Sequence, residues 1–224
     1  MLFQTLTGPS KNSNGTLAGS RGGNSGDVVV SELHGRFYEQ NFQGNVYSNG
    51  STVTALTANT ISLTATTTPI LGIWNPATST VNAVISQAAL TVVANNLTSG
   101  AGPGVFVWAV SIGNAAISTG SAPWNRKSLA QNGSQVKGMS FVALTGLTNN
   151  LVIMEGSEFA TPAGLTYTTL ASTQLMPEFS NTQNFDGSLI VPPGGVLALL
   201  NTTSSTTFSV SGRLLWEEVG VAGF

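Results

Sequence analysis

Val105-Phe-Val-Trp-Ala-Val-Ser-Ile-Gly113 and Phe208-Ser-Val-Ser-Gly-Arg-Leu-Leu-Trp216 are the two stretches on which the fold turns. In the first, Phe106, Trp108, Val110 and Ile112 fall on one parity, and in the second Phe208, Val210, Leu214 and Trp216 do. Successive side chains of a strand point to opposite faces, so a period of two marks a half-buried strand. Val107 and Leu215 interrupt the alternation only singly.

Outward from these anchors, the same reading gives strand candidates at 36–47, 60–65, 70–74, 81–93, 136–144, 151–155 and 165–175. Two more apolar runs, Leu189 to Val191 and Val196 to Leu200, flank Pro192-Pro-Gly-Gly195, a turn sequence. Asn49-Gly50 and Asn132-Gly133 are dipeptides that tight hairpin turns prefer. About eight to ten strands result, and no window carries the i, i+3, i+4, i+7 stripe of a helix. The expected fold is all-β, a two-sheet antiparallel sandwich of jelly-roll type. Along 36–47, the parity of Tyr38, Phe42 and Val46 is expected to face a core or interface, with Glu39, Asn41, Gln43 and Asn45 in solvent.

Residues 8–26 are nearly all Gly, Ser, Asn and other loop formers, with Leu17 the only large apolar side chain. Fixing backbone costs roughly 1–2 kcal/mol per residue, whereas a buried Leu or Phe returns only about 1.5–3 kcal/mol. Leu2, Phe3, Leu6 and Leu17 therefore cannot hold this stretch alone. Residues 1–26 read as an extended arm and 27–224 as the sandwich domain. The arm is expected to cross onto a neighbouring subunit, with Lys11 and Arg21 setting register; packing on its own domain is the other reading.

Charged residues make up 7% of the 224, against about 25% in an ordinary soluble domain, while apolar content stays at 41%. Polarity is carried by Ser, Thr, Asn and Gly, and sparse charge weakens the usual guard against association. A net charge of −2 leaves no broad basic footprint for nucleic acid. The charges are unevenly placed: six bases and three acids up to Lys137, one base and six acids after it. Such a split can steer head-to-tail contacts between copies. No cysteine is present, which excludes disulfides, thiolate metal sites and a cysteine nucleophile. Met1 to Ser13 lacks the pattern of a secretory signal, and the apolar stretch 81–94 is too short to span a bilayer. Synthesis in the cytoplasm, with no membrane and no nucleic-acid partner, is the expectation.

Catalytic constellations are hard to assemble. His34 is the only histidine, Asp27 and Asp186 are the only aspartates, and no Gly-x-Ser-x-Gly elbow occurs. Glu217 and Glu218 are adjacent, so on a strand they point apart; Glu155 and Glu158 read as solvated or interfacial acids. Gly100-Ala-Gly-Pro-Gly104 lacks the Lys-Ser/Thr end of a phosphate loop. No enzyme activity, cofactor or metal is expected. Trp74, Trp108 and Trp216 read as core. Trp124 stands in a polar loop beside Arg126 and Lys127, the residue types enriched at interface hot spots, and either an interface or a place under its own loop fits.

Leu33-His-Gly-Arg-Phe-Tyr-Glu-Gln-Asn-Phe-Gln-Gly-Asn-Val-Tyr47, Gly72-Ile-Trp-Asn-Pro76, Pro192-Pro-Gly-Gly195 and Leu214-Leu-Trp-Glu-Glu-Val219 together resemble structural proteins of tailed bacteriophages. The resemblance implies a virion component, a capsid cement or decoration protein, with the major capsid protein, other virion proteins and copies of itself as partners. It transfers no catalytic residue. The alternative is a tail or fibre component, or a lectin-like receptor binder on the same sandwich.

Overall fold

The computed structural model describes residues 37–51, 54–56, 67–94, 105–114, 116–117, 120–160, 178–201 and 205–221. The chain divides into two units, Met1–Glu39 and Gln40–Phe224, and every strand lies in the second. Residues 1–26, with the boundary expected there, and the strand candidates 60–65 and 165–175 lie outside the described residues, as does His34.

Among the described residues, one short helix, α1 (Tyr38–Gln43), precedes eleven strands: β1 (Val46–Gly50), β2 (Thr54–Leu56), β3 (Leu71–Trp74), β4 (Val81–Ala94), β5 (Val105–Ser111), β6 (Trp124–Asn125), β7 (Lys137–Met139), β8 (Val152–Ala160), β9 (Glu178–Val191), β10 (Val196–Asn201) and β11 (Ser205–Gly220). They form two antiparallel sheets. The first runs β6-β1-β11-β4-β9, with β2 pairing the start of β11; the second runs β7-β3-β10-β5-β8. Leaving aside β2, β6 and β7, β1 lies beside β11, β3 beside β10, β4 beside β9 and β5 beside β8. These are the four nested antiparallel pairs of a jelly roll, a topology that periodicity alone does not fix.

The alternation in β5 and β11 has the expected consequence. Phe106, Trp108, Val210, Leu214 and Trp216 are fully buried between the sheets with Leu71, Ile85, Leu90 and Leu199. Trp108 meets Phe185 edge-on at 5.5 Å, and its Nε1 donates to Gln183 Oε1 at 2.9 Å, linking the sheets by a buried polar contact. Ile112 departs from the pattern, because β5 ends at Ser111 and Ile112 stands exposed.

Val107 does not merely break the alternation. With Ala109, Val196, Ala198 and Leu200 it faces a second core on the outer side of the second sheet, where Ile117, Met139, Leu144 and Leu151 cover it. All six residues of β10 are buried, so the continuous apolar run Val196–Leu200 reflects a strand enclosed on both faces. The outer face of the first sheet carries a row of polar side chains that includes the Arg213 guanidinium. There Gln87 donates to Asn184 at 2.9 Å, Arg213 donates to Gln87 at 2.6 Å, and Thr91 pairs with Ser180 at 3.2 Å.

Four sequence expectations are corrected by the structure. Residues 38–43 are helical with Tyr38, Phe42 and Gln43 exposed, and in β1 it is Tyr47, on the parity opposite to Val46, that enters the main core beside Trp216, so the strand register expected for 36–47 does not hold. Gly44 (φ +86°) donates to the Asn41 carbonyl at 3.0 Å and Asn45 to that of Gln40 at 3.1 Å, the paired bonds of a glycine-terminated helix. Asn49-Gly50 is no hairpin turn: Asn49 is buried in β1 and its amide donates to Met139 O at 2.9 Å. Gly133 has φ +79° but Asn132 does not share a positive φ, so Asn132-Gly133 is not the hairpin turn either. The candidate strand 136–144 shrinks to Lys137–Met139.

Pro192-Pro-Gly-Gly195 does connect strands, passing from β9 in one sheet to β10 in the other. Gly194 has φ +79° and the Gly195 N–H donates to Pro192 O at 2.9 Å, as in a turn with Pro second and Gly third. Asn75, fully buried after β3, fastens this turn. Its N–H donates to Gly195 O (2.9 Å), its carbonyl accepts from Gly194 (2.8 Å), and its side-chain amide donates to Val81 O (2.8 Å) and Val191 O (3.0 Å). Replacing the amide takes a donor from each of two carbonyls inside the protein, of which Val81 O still accepts from Ser79 Oγ at 3.2 Å. Asn75→Ala should therefore lower unfolding free energy by about 1–3 kcal/mol, read as a lower urea midpoint at unchanged slope.

Candidate functional site

A sandwich has two open edges, and here they differ. At one, β8 ends the second sheet and β9 ends the first. Between them opens a groove of about 450 Å³ whose wall is almost wholly apolar, formed by Ile112 at the end of β5, Val152 and Met154 of β8, and Leu189, Ile190 and Val191 of β9. Val152 is 63% exposed, Ile112 61% and Ile190 53%, so several exposed aliphatics adjoin one another here. β9 is bent beside Trp108: the ladder with β4 shifts register between Ile85 and Gln87, where Phe185–Ser188 bulge, with Asp186 (φ +50°) and Gly187 (φ +84°) both left-handed. That bulge lets Phe185 turn inward to Trp108 while Leu189 and Ile190 reach the groove.

At the opposite edge β6 pairs with β1 through Tyr47–Asn125 and Ser48–Trp124. The loop after it is tied by Asn125. Its side-chain oxygen accepts from the N–H groups of Lys127 (2.9 Å) and Ser128 (3.1 Å), its amide donates to Gly44 O (2.7 Å), and its own N–H and carbonyl bond to Ala130 O and Leu129 N, both at 2.9 Å. Arg126 N–H adds a bond to Val46 O on β1 at 2.9 Å. These bonds hold the loop in shape without calling on the Leu129 side chain. What it presents is Leu129, 74% exposed at φ +56°, with Arg126 and Lys127 beside it and Trp124 half exposed. Lys127 Nζ lies 5.1 Å from the ring centre of Phe42.

Of the residues expected at an interface, Trp124, Arg126 and Lys127 share this edge, and Trp124 is not tucked beneath its loop. Leu2, Phe3, Leu6, Lys11, Leu17 and Arg21 lie outside the described residues. The groove and Leu129 escaped the sequence reading. Leu151-Val-Ile-Met154 carried a signal: apolar on both parities, it cannot present a polar face even at a sheet edge.

Glu217 and Glu218 separate as neighbours on a strand should. Glu218 is buried and structural, not solvated: its carboxylate accepts from Ser134 Oγ, from the Gln135 N–H at 3.1 Å and from the Val136 N–H at 3.5 Å. Glu217 is half-buried, and desolvation lifts its carboxyl above the ordinary range. Tyr47, stacked on Trp216 at 6.3 Å, is raised by burial and by the charge of Glu218, against the lowering effect of its hydrogen bond with Asn125. Among the described residues, no three His, Cys, Asp or Glu side chains gather as metal ligands would. Compared with protein-family models, curated proteins and solved structures, the chain finds no match.

A left-handed backbone is unfavourable for a residue with a Cβ and natural for glycine. At a site so exposed, little packing is lost on truncation. Leu129→Gly should therefore stabilise the isolated chain by about 0.5–1 kcal/mol, seen as a higher melting temperature, although it removes a large apolar side chain.

Proposed function

We propose that this chain is a non-enzymatic structural protein of a virus particle, made in the host cytoplasm, that acts as a cement or decoration protein on the capsid. Its partners in this reading are the major capsid protein, other virion proteins and copies of itself. The observation that carries the proposal is the apolar groove opening between the last described strands of the two sheets. Sheet edges are an association hazard that free-standing proteins blunt with charge, proline or cover. Beside β8 and β9, nine and fourteen residues long, Val152, Met154 and Ile190 stand exposed around the groove, which suits a protein whose working state is an assembly. The jelly roll, a fold of capsid domains and also of lectins, agrees with this but does not decide it. The neutral Ser, Thr and Asn surface adds little repulsion between close-packed neighbours.

In this reading residues 1–26 lie across an adjacent subunit, where backbone hydrogen bonds supply what its few apolar side chains cannot. Deleting residues 1–26 should leave the sandwich folded, since its strands begin at Val46. Added to particles that lack the protein, the truncated chain should bind in fewer copies than the full chain and confer less resistance to heat. Equal occupancy and equal heat resistance would contradict the role given to the arm. Hundreds of copies per particle fit a shell protein, and a handful would place the chain in the tail.

A further inference from the structure

The uneven charge of the sequence becomes a spatial division in the fold. The β6/β7 edge holds Arg126 and Lys127 beside β6 and Lys137 in β7; Glu218, which reaches this edge, is buried against Ser134 and Gln135. At the opposite edge the sequences of β8 and β9 contain four acids, Glu155, Glu158, Glu178 and Asp186, and no base. The edge whose strand sequences carry acids has an apolar groove, and the basic edge has an apolar projection.

We infer that the two edges bind one another in successive copies of this chain. The Asn125–Ala130 loop of one copy seats Leu129 in the groove of the next, against Val152, Met154 and Ile190, and Trp124 covers the rim. Arg126 and Lys127 then meet the acids of β8 and β9. The pairing accounts for three features at once. The groove has a side chain shaped to enter it, and the strained Leu129 has a use, since a backbone outlier held by surrounding hydrogen bonds is stored strain that function can justify. The charge split supplies orientation and a faster encounter.

Groove and projection lie at opposite edges, so the contact is heterologous: each copy has one projection and one groove free, and copies add head to tail into a ring or an open chain. This deepens the reading of the chain as an assembly protein by naming one partner and its surfaces, and it is tested on the isolated full-length protein, without particles.

Sedimentation velocity over a concentration series makes the test, with Leu129→Asp removing the projection and Val152→Asp the groove. Both positions are exposed, and circular dichroism checks that each variant folds. The wild-type mass should rise with concentration beyond that of a dimer. Each variant alone should associate at least about thirtyfold more weakly, the loss expected of a hot-spot contact. The equimolar mixture should form a dimer and stop there, because only one intact projection and one intact groove remain. A wild type that stays monomeric, variants that associate as the wild type does, or a mixture that forms no dimer would each overturn the inference. Self-association without particle binding would instead remove the proposed function and leave this interface standing.

Discussion

Burial of β10 on both faces is the constraint from which the rest of the molecule follows. Its inner face packs Leu197 and Leu199 between the sheets, and its outer face offers Val196, Ala198 and Leu200, which need a second cover. The segment between β5 and β8 supplies it through Ile117, Met139, Leu144 and Leu151. A jelly roll needs only a connection there. The connection is long because it serves as a third layer, and on its way it adds β6 to one sheet and β7 to the other. Close packing leaves no slack at this layer: a Cβ on Gly72 would stand 2.5 Å from Leu197 O and 3.3 Å from Met139 Cε.

The same segment makes the two edges unlike. At the edge it completes, short β6 and β7 replace what would be the free margins of β1 and β3, and the loop fixed by Asn125 projects Leu129. At the other edge, among the described residues, β8 and β9 end the sheets with Val152, Met154 and Ile190 exposed. The asymmetry of the sandwich is thus a by-product of how its core is closed. Asn75 and Asn114 hold the closure at the β9–β10 turn. Asn114 accepts from Thr148 N–H at 2.9 Å and donates to Ser111 Oγ at 3.0 Å and to Gly194 O at 3.3 Å, tying the start of the cover to the turn.

Legibility in the sequence tracks how many neighbours fix each residue. β5 and β11 were readable because both lie between two partners with one face in the main core, so alternation is enforced. In β4 the extra residue Ser86 shifts parity against β11, moving the buried set from Ala83 and Ile85 to Ala88, Leu90 and Val92. A fixed period of two cannot follow such a shift. Tyr38 and Phe42, four apart, fit one helical turn as well as one strand face, and Gly44 as a helix stop was the overlooked clue. The interface reading of Trp124, Arg126 and Lys127 rested on residue type, and the structure places all three exposed on the loop that presents Leu129. Leu129 could not be singled out, since its exposure and left-handed backbone come from hydrogen bonds made by Asn125. The groove is a property of two edges brought together from residues far apart in the chain.

The central claim, that this molecule is built to meet its own kind edge to edge, is tested most directly by hydrogen exchange of the full-length chain at low and high protein concentration. The account predicts that amides of 126–130 and 152–154 gain protection as concentration rises, while those of β10, already enclosed on both faces, exchange slowest and do not change. Protection that is the same at both concentrations, or that appears only on the open face of the first sheet, would contradict it.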